Sequence, residues 1–275
     1  VRISVIVPFY RDFKALELVL GGLRRQTVRD FEVVVAEDDT HPDTPAFLAR
    51  FDDLDITHVF HEDRGNRKTV IQNRAVCAAT GDYLVFIDGD VIPYRRFLEG
   101  HLCLAAPKRV LSGRRVNLDE ATSRRLREGT LGAETIERFY PLYALKFMRD
   151  RSVRYEQGFQ FRCGGLWQKL FLSRPKRAEI IGCNFSCHKA DFAALNGFDE
   201  DYPLSRLGDD IDLTWRFEKA GYELRSVKKL ANVLHLYHPK IPPHSAEEEK
   251  ALFARKKAAG DPVCEHGLSR YCSSA

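Results

Sequence analysis

VFIDGDVIP, residues 85–93, is the stretch whose reading decides the fold. The apolar run Tyr83 to Ile87 reads as a strand buried on both faces, and it runs directly into Asp88-Gly89-Asp90. Two carboxylates one residue apart at a strand end concentrate negative charge, which is costly unless a cation sits there. Hard oxygen ligands of this kind suit Mg²⁺ or Mn²⁺, which can also hold phosphate oxygens. Gly89 leaves room for a diphosphate to approach. An isolated D-x-D is short enough to be a plain surface turn, so its weight depends on what surrounds it.

Working outward, Ile3 to Val7 is a β-branched run ended by Pro8, and residues 15–23 carry an apolar helical stripe. Strands are predicted at Phe31–Ala36 and residues 56–60, and helices over 43–51 and 66–79. Strands alternating with helices imply right-handed crossovers and a mostly parallel, Rossmann-like sheet flanked by helices. Ligands of such sheets bind beyond the carboxyl ends of the strands. That rule gathers Pro8–Tyr10, Glu37–Asp39 and Asp88–Asp90 along one edge. No glycine-rich dinucleotide or P-loop fingerprint follows the first strand, so phosphate handling falls to a metal and to side chains.

The βα rhythm is lost over 114–176, where helices are predicted at about 119–128 and 133–149 before the aromatic-rich RYEQGFQFRCGGLWQKLF. Strand character returns over 179–188. DDIDLTWRFEKAG then reads as a helix closed by Gly221, and two short strands (223–227, 231–236) follow. The tail from Pro239 carries one helix, over 245–258. The expected organisation is an α/β half (1–113), a second half of the same domain (114–238), and a helical tail (239–275).

The 275 residues are 44% hydrophobic, enough for a sizeable core, and no apolar run approaches a membrane span. The opening VRISVIVPFY reads as a strand rather than a secretory leader. Seven irregularly spaced cysteines without a C-x-x-C pair favour reduced thiols in a cytoplasmic protein, and Cys264, His266 and Cys272 lack a metal-site spacing. Net charge is +4, but residues 114–176 hold 14 Lys and Arg against 7 Asp and Glu. Such a segment can attract phosphate, an anionic polymer or the anionic inner face of a membrane, with Arg114, Arg115, Arg124, Arg125 and Arg127 as candidates.

VIVPFY, VVVAEDDTHPDT, NRAVCAATGDYLVFIDGD and NGFDEDY…GDDIDLTWRFEKAGY, in that order and spacing, resemble the inverting glycosyltransferases of family two, with the GT-A fold. The resemblance covers about residues 3–238. It implies a metal-dependent transfer of a sugar from a nucleoside-diphosphate donor, expected to be UDP-linked, to a hydroxyl of a glycan or lipid-linked acceptor. It also implies that 1–113 is the nucleotide-sugar-binding half and 114–238 the acceptor-binding and catalytic half of one GT-A domain, with no nucleic-acid partner. Bacterial polysaccharide or lipopolysaccharide assembly would fit.

Residue by residue, Asp90 is implied as a metal ligand, with Asp88 on ribose or metal and His235 completing the set; His238 competes with His235. Glu37 or Asp38 would read the base, although Glu37-Asp38-Asp39-Thr40 departs from the family's Asp-Asp-Gly-Ser. Lys68 is a candidate for a phosphate and Asn73 for the donor, with Pro8 and Tyr10 at the same edge. Asp210 aligns with the general base, beside Asp209, which could equally be a helix cap. Asp212 and Arg216 are expected to shape that helix, Asp199 to serve a turn or a sugar, and Trp167 to pack or stack on a sugar. Two other readings stay open. A sugar-nucleotide-forming nucleotidyltransferase would want a glycine-rich first loop, which PFYRDFK lacks. A non-catalytic binding module would have no use for both acidic pairs.

Overall fold

β1 (Ile3–Phe9), β2 (Phe31–Glu37) and β4 (Tyr83–Ile87) have every residue buried, which is why each reads as a near-continuous apolar run. The computed structural model describes residues 1–166, 177–202, 207–239 and 246–272. With β3 (Ile56–Phe60), β6 (Arg109–Ser112), β8 (Asn184–His188) and β9 (Glu223–Ser226), the three strands form a seven-stranded sheet in the order β3-β2-β1-β4-β8-β6-β9. Only β8 runs against its neighbours β4 and β6; the other pairings are parallel.

Alternate residues of each strand feed the two faces of this sheet. Val5, Val33 and Val85 face one side, where Leu16, Val19 and Leu20 of α1 (Phe13–Arg24) cover them. Ile6, Val34, Leu84 and Phe86 face the other, against Ile71 and Ala75 of α3 (Lys68–Ala78). A smaller sheet, β5-β10-β7, is built from Val91–Pro93, Asn232–His235 and Arg114–Asn117. Beneath it lies a third cluster that includes Ile92, Val116, Leu126, Ile136, Tyr140, Phe147 and Leu234. That cluster takes in α5 (Glu120–Arg127), α6 (Ala133–Arg138) and α7 (Tyr140–Phe147).

The layout is the expected α/β one, with local differences. Residues 109–117 form two strands, β6 and β7, that their Arg-rich sequence hides. The predicted helix 133–149 is two helices, interrupted at Phe139, whose backbone (φ −107°, ψ 29°) is not helical. The expected strand over 179–188 is confined to Asn184–His188. α8 (Lys189–Ala194), α9 (Ile211–Lys219) and α10 (Ala246–Ala259) follow.

The cysteine expectation is corrected. Cys77 is bonded to Cys272 and Cys103 to Cys163, with Cα separations of 5.3 and 6.1 Å; Cys183, Cys187 and Cys264 are buried and free. Sequence spacing could not reveal this, because the partners lie 195 and 60 residues apart and only the fold brings them together. Disulfides persist in oxidising surroundings, so the cytoplasmic expectation loses the support it took from reduced thiols. Among the described residues, no helix is long and apolar enough to cross a membrane. The tail is also tied back by Lys256, whose Nζ lies 2.5 Å from Asp199 and 2.6 Å from Asp201. Asp199 therefore serves the tail and its own turn, where its carboxylate accepts the Asp201 N–H.

Candidate active site

β4 ends at Ile87 and β5 begins at Val91, so Asp88-Gly89-Asp90 is the tight connection between the two sheets. A Cβ at Gly89 would stand 2.6 Å from the Pro8 carbonyl oxygen, so glycine lets this turn lie against the end of β1. The Leu236 N–H donates to the Asp90 carbonyl at 3.0 Å, and His235 pairs in register with Val91. The end of β10 is thereby held beside the acidic turn.

A cleft of about 540 Å³ opens there, lined by Pro8, Phe9, Tyr10, Asp38, Asp63, Gly65, Asn66, Lys68, Asp88 and Asp90. Its rim is fastened by Arg11, which donates to Asp39 at 2.5 Å and Asp63 at 3.0 Å, while the Tyr10 hydroxyl donates to Asp63 at 3.1 Å. Arg11 makes this contact from a left-handed backbone (φ 55°), a conformation that costs energy outside glycine.

Of the two candidate base readers, Asp38 lines the cleft. Its two oxygens contact His61 Nε2 (2.6 Å) and the Arg67 N–H (2.9 Å), and each retains a second lone pair. Glu37, the alternative base reader, points into the fold instead. It accepts from Thr44 Oγ1 at 2.7 Å and lies 2.7 Å from His58 Nε2. Asn73 is likewise corrected: fully buried, it donates to the Phe198 carbonyl at 2.9 Å and to Glu200 at 2.8 Å, and it accepts the Phe198 N–H. It clamps α3 to the loop after α8 rather than facing a ligand.

Lys68 opens α3, where a cation is disfavoured by the helix dipole. Two carboxylates compensate: its Nζ is 2.7 Å from Asp88 Oδ1 and 2.9 Å from Asp209 Oδ2. Burial works against the ammonium, but Asp209 and Asp88 outweigh it and hold its pKa well above the ordinary lysine value. Asp209 needs Gly182 opposite it, since a Cβ there would come within 3.0 Å of its Oδ2. Asp210, not Asp209, occupies the cap position of α9, and its side chain makes no capping bond. Burial, then the neighbouring Asp209 charge, pushes the Asp210 carboxyl up to about 7. Asp212 and Arg216 do shape the helix: they pair at 2.6 Å inside the core, and Arg216 also donates to the Leu195 and Gly197 carbonyls.

Asp90 faces two imidazoles. Its Oδ2 lies 3.6 Å from His235 Nε2 and 3.7 Å from His238 Nε2, and one ligand atom from each of the three residues falls within 4.8 Å of the others. Of the residues expected at a metal, Asp90 and His235 gather with His238, the competing histidine, while Asp88 turns to Lys68. Burial and the Asp88 charge push Asp90 up to about 6. Burial, helped by Arg115, pushes His235 down to about 3, leaving a neutral imidazole. One carboxylate and two imidazoles form a mixed oxygen and nitrogen donor set fit for a divalent first-row transition metal.

Arg115, which the sequence groups with the basic segment 114–176, stands instead beside the acidic cluster. It sits on β7, beside β10, with its guanidinium 3.3 Å from Cys183 Sγ, and its charge acts on Asp88, Asp90 and His235. Only the pairing of β7 with the histidine-bearing strand exposes it. Trp167 lies outside the described residues.

The family model for Glycosyl transferase family 2 matches residues 4–168. The chain belongs to this family. A second match, to the N-terminal domain of galactosyltransferase, covers 171–239. Among curated relatives, validoxylamine A glucosyltransferase of Streptomyces hygroscopicus subsp. jinggangensis is 28% identical over 228 residues, 80% of this chain and 52% of that protein. The pre-mycofactocin glycosyltransferase of Mycobacterium tuberculosis is 24% identical over 242 residues, 85% of this chain and 42% of the relative. The chain thus spans about half the length of the curated relatives it matches. Among solved structures, S. aureus TarS 1-349 in complex with UDP-GlcNAc gives a TM-score of 0.61 at 15% identity, covering 98% of this chain and 69% of that one. Mannosyltransferase PcManGT from Pyrobaculum calidifontis, in complex with GDP-Man and Mn²⁺, gives 0.58 at 21%, covering 94% and 64%. The fold of this family 2 glycosyltransferase is accordingly GT-A.

Proposed function

We infer that this chain transfers a sugar, with inversion, from a nucleoside-diphosphate donor to a hydroxyl of a glycan or lipid-linked acceptor. The observation that carries this reading is the bridge from Asp88 through Lys68 to Asp209, which joins the Asp209-Asp210 pair to the cleft lined by Lys68, Asp88 and Asp90, from three distant parts of the sequence. The donors bound to TarS and PcManGT support a nucleotide sugar, and we read it as UDP-linked, with Asp38 able to accept the uracil N3–H.

In this reading the acceptor hydroxyl gives its proton to Asp210 Oδ as its oxygen bonds to the anomeric carbon. The bond from that carbon to the diphosphate breaks on the opposite face, releasing the nucleoside diphosphate. A carboxyl brought near neutrality is a competent general base. Asp209, paired with Lys68, keeps a second negative charge beside it. Lys68 and Arg115 place positive charge next to the leaving diphosphate, where preorganised charge counts most. A divalent cation held by Asp90, His235 and His238 would add Lewis-acid neutralisation of that leaving group.

The test is release of nucleoside diphosphate from a panel of nucleotide sugars and acceptors, with the product anomer read by NMR. Inverted product from the parent, and at least ~10²-fold less from Asp210→Asn, is the expected result. Retained configuration, or full activity in Asp210→Asn, would overturn the assignment.

A further inference from the structure

α7 is apolar on its solvent side as well as its core side. Tyr140, Ala144 and Phe147 are buried against the third cluster, which accounts for one face. On the other, Leu142 and Leu145 are 66% and 65% exposed, Met148 is 51% exposed, and Phe139, just before the helix, is 45% exposed. Three-residue spacing lays these side chains in a slanting row along the outside. Single exposed apolar residues are ordinary, but a contiguous row of four marks a contact surface.

Phe139 joins this row to a basic cleft. It lines a space of about 750 Å³ together with Arg24, Arg25, Arg29, Arg95 and Arg138. The Arg138 guanidinium stands 5.4 Å from the Phe139 ring centroid. The two acids of the cleft are engaged: Glu137 accepts the Arg95 backbone N–H at 3.1 Å, and Glu134 lies 3.7 Å from Arg25. Arg29, Arg95 and Arg138 are exposed, and so is Arg149 beyond the far end of the row.

We propose that this face docks on an anionic phospholipid membrane. Arg29, Arg95 and Arg138 take the lipid phosphates, for which the guanidinium fork is suited, while Arg24 is held by Asp53, and the row from Phe139 to Met148 enters the headgroup–acyl boundary. Charge complementarity selects this occupant: a nucleic acid would use the arginines and leave the aliphatic row unexplained, and a second copy would bring the same excess of arginine against itself. Within the basic segment 114–176 the surface is carried by 138–149, joined by Arg29 and Arg95 from elsewhere, and not by Arg115 and Arg127. Arg115 faces the acidic cluster and the Arg127 guanidinium is held by Asp12, so those two are already committed.

The test is flotation of the protein with phosphatidylcholine vesicles, with and without about one-third phosphatidylglycerol. Binding should require the anionic lipid and weaken with salt. Leu142→Ser/Leu145→Ser and, separately, Arg29→Ser/Arg95→Ser/Arg138→Ser should each lower the partition coefficient at least ~10-fold. The arginine variant alters exposed side chains only, so it keeps the test open if the serine pair fails to fold. Absence of flotation, equal binding to neutral vesicles, or unchanged partition in the arginine variant would overturn the proposal. So would a dimer in sedimentation that Leu142→Ser/Leu145→Ser dissociates. No donor or acceptor enters the assay, so its failure would leave the glycosyltransferase reading standing.

Discussion

Lys68 Nζ lies 2.9 Å from Asp209 Oδ2, joining residues 141 positions apart in the sequence. The same ammonium is 2.7 Å from Asp88, so one cation spans the acid at the end of β4 and the acid pair at the start of α9. In the proposed reading, the donor side and the base side of the site are thereby fixed relative to one another.

Removing that cation leaves Asp88 and Asp209 uncompensated in a mostly buried setting. Lys68→Met is expected to cost about 2–3 kcal/mol of stability, below the range for a fully buried pair because the side chains keep some solvent contact. kcat should fall more than KM rises, since the charge acts on the leaving diphosphate. Urea unfolding checks the first and steady-state kinetics the second; unchanged stability would mean that the pair contributes nothing.

Asp210 should show itself through pH. Its folded carboxyl is raised to about 7, so kcat/KM should rise with pH through a midpoint near 7. The sign for stability is opposite: a raised acid binds more protons folded than unfolded, so stability is lost as pH rises from about 4 through about 7. Asp210→Asn removes that loss. Its melting temperature should exceed the parent's by more at pH 8 than at pH 5, while its activity collapses.

Divalent-ion binding should depend on three residues. Asp90→Asn, His235→Ala and His238→Ala are each expected to weaken Mn²⁺ binding at least ~10-fold by calorimetry. Because the Asp90 carboxyl is raised to about 6, protons should compete for the parent site below that pH. Equal affinity in all three variants would exclude this set as the site.

The bridge between Cys77 and Cys272 closes a long loop from α3 to the tail. Replacing both by Ser should cost about 2–4 kcal/mol, read by urea unfolding of the two oxidised proteins. A smaller effect would show that Lys256 with Asp199 and Asp201 already holds the tail.

What the sequence disclosed, and what it hid, follows from how far apart the interacting residues lie. The buried strands β1, β2 and β4 are continuous apolar runs, so their existence and parallel arrangement were legible. Asp88-Gly89-Asp90 and Asp209-Asp210 stood at element ends, where the chain pattern alone announced them. The direction in which a side chain turns was not legible: Glu37 and Asp38 are neighbours, yet one is saturated inside the fold and the other lines the cleft. Asn73 looked equally available and is a packing clamp. Arg115 was absorbed into a basic run because nothing local shows that β7 lies beside β10. The disulfides were invisible for the same reason.

The most direct test is thermal unfolding with a panel of nucleoside diphosphates, with and without Mn²⁺, on the parent, Asp90→Asn and Asp210→Asn. A ligand at about 100 times its dissociation constant adds ~2.7 kcal/mol of stability. The account predicts a Mn²⁺-dependent shift with UDP that disappears in Asp90→Asn and survives in Asp210→Asn. No shift with any nucleoside diphosphate, or a shift indifferent to Asp90→Asn, would contradict it.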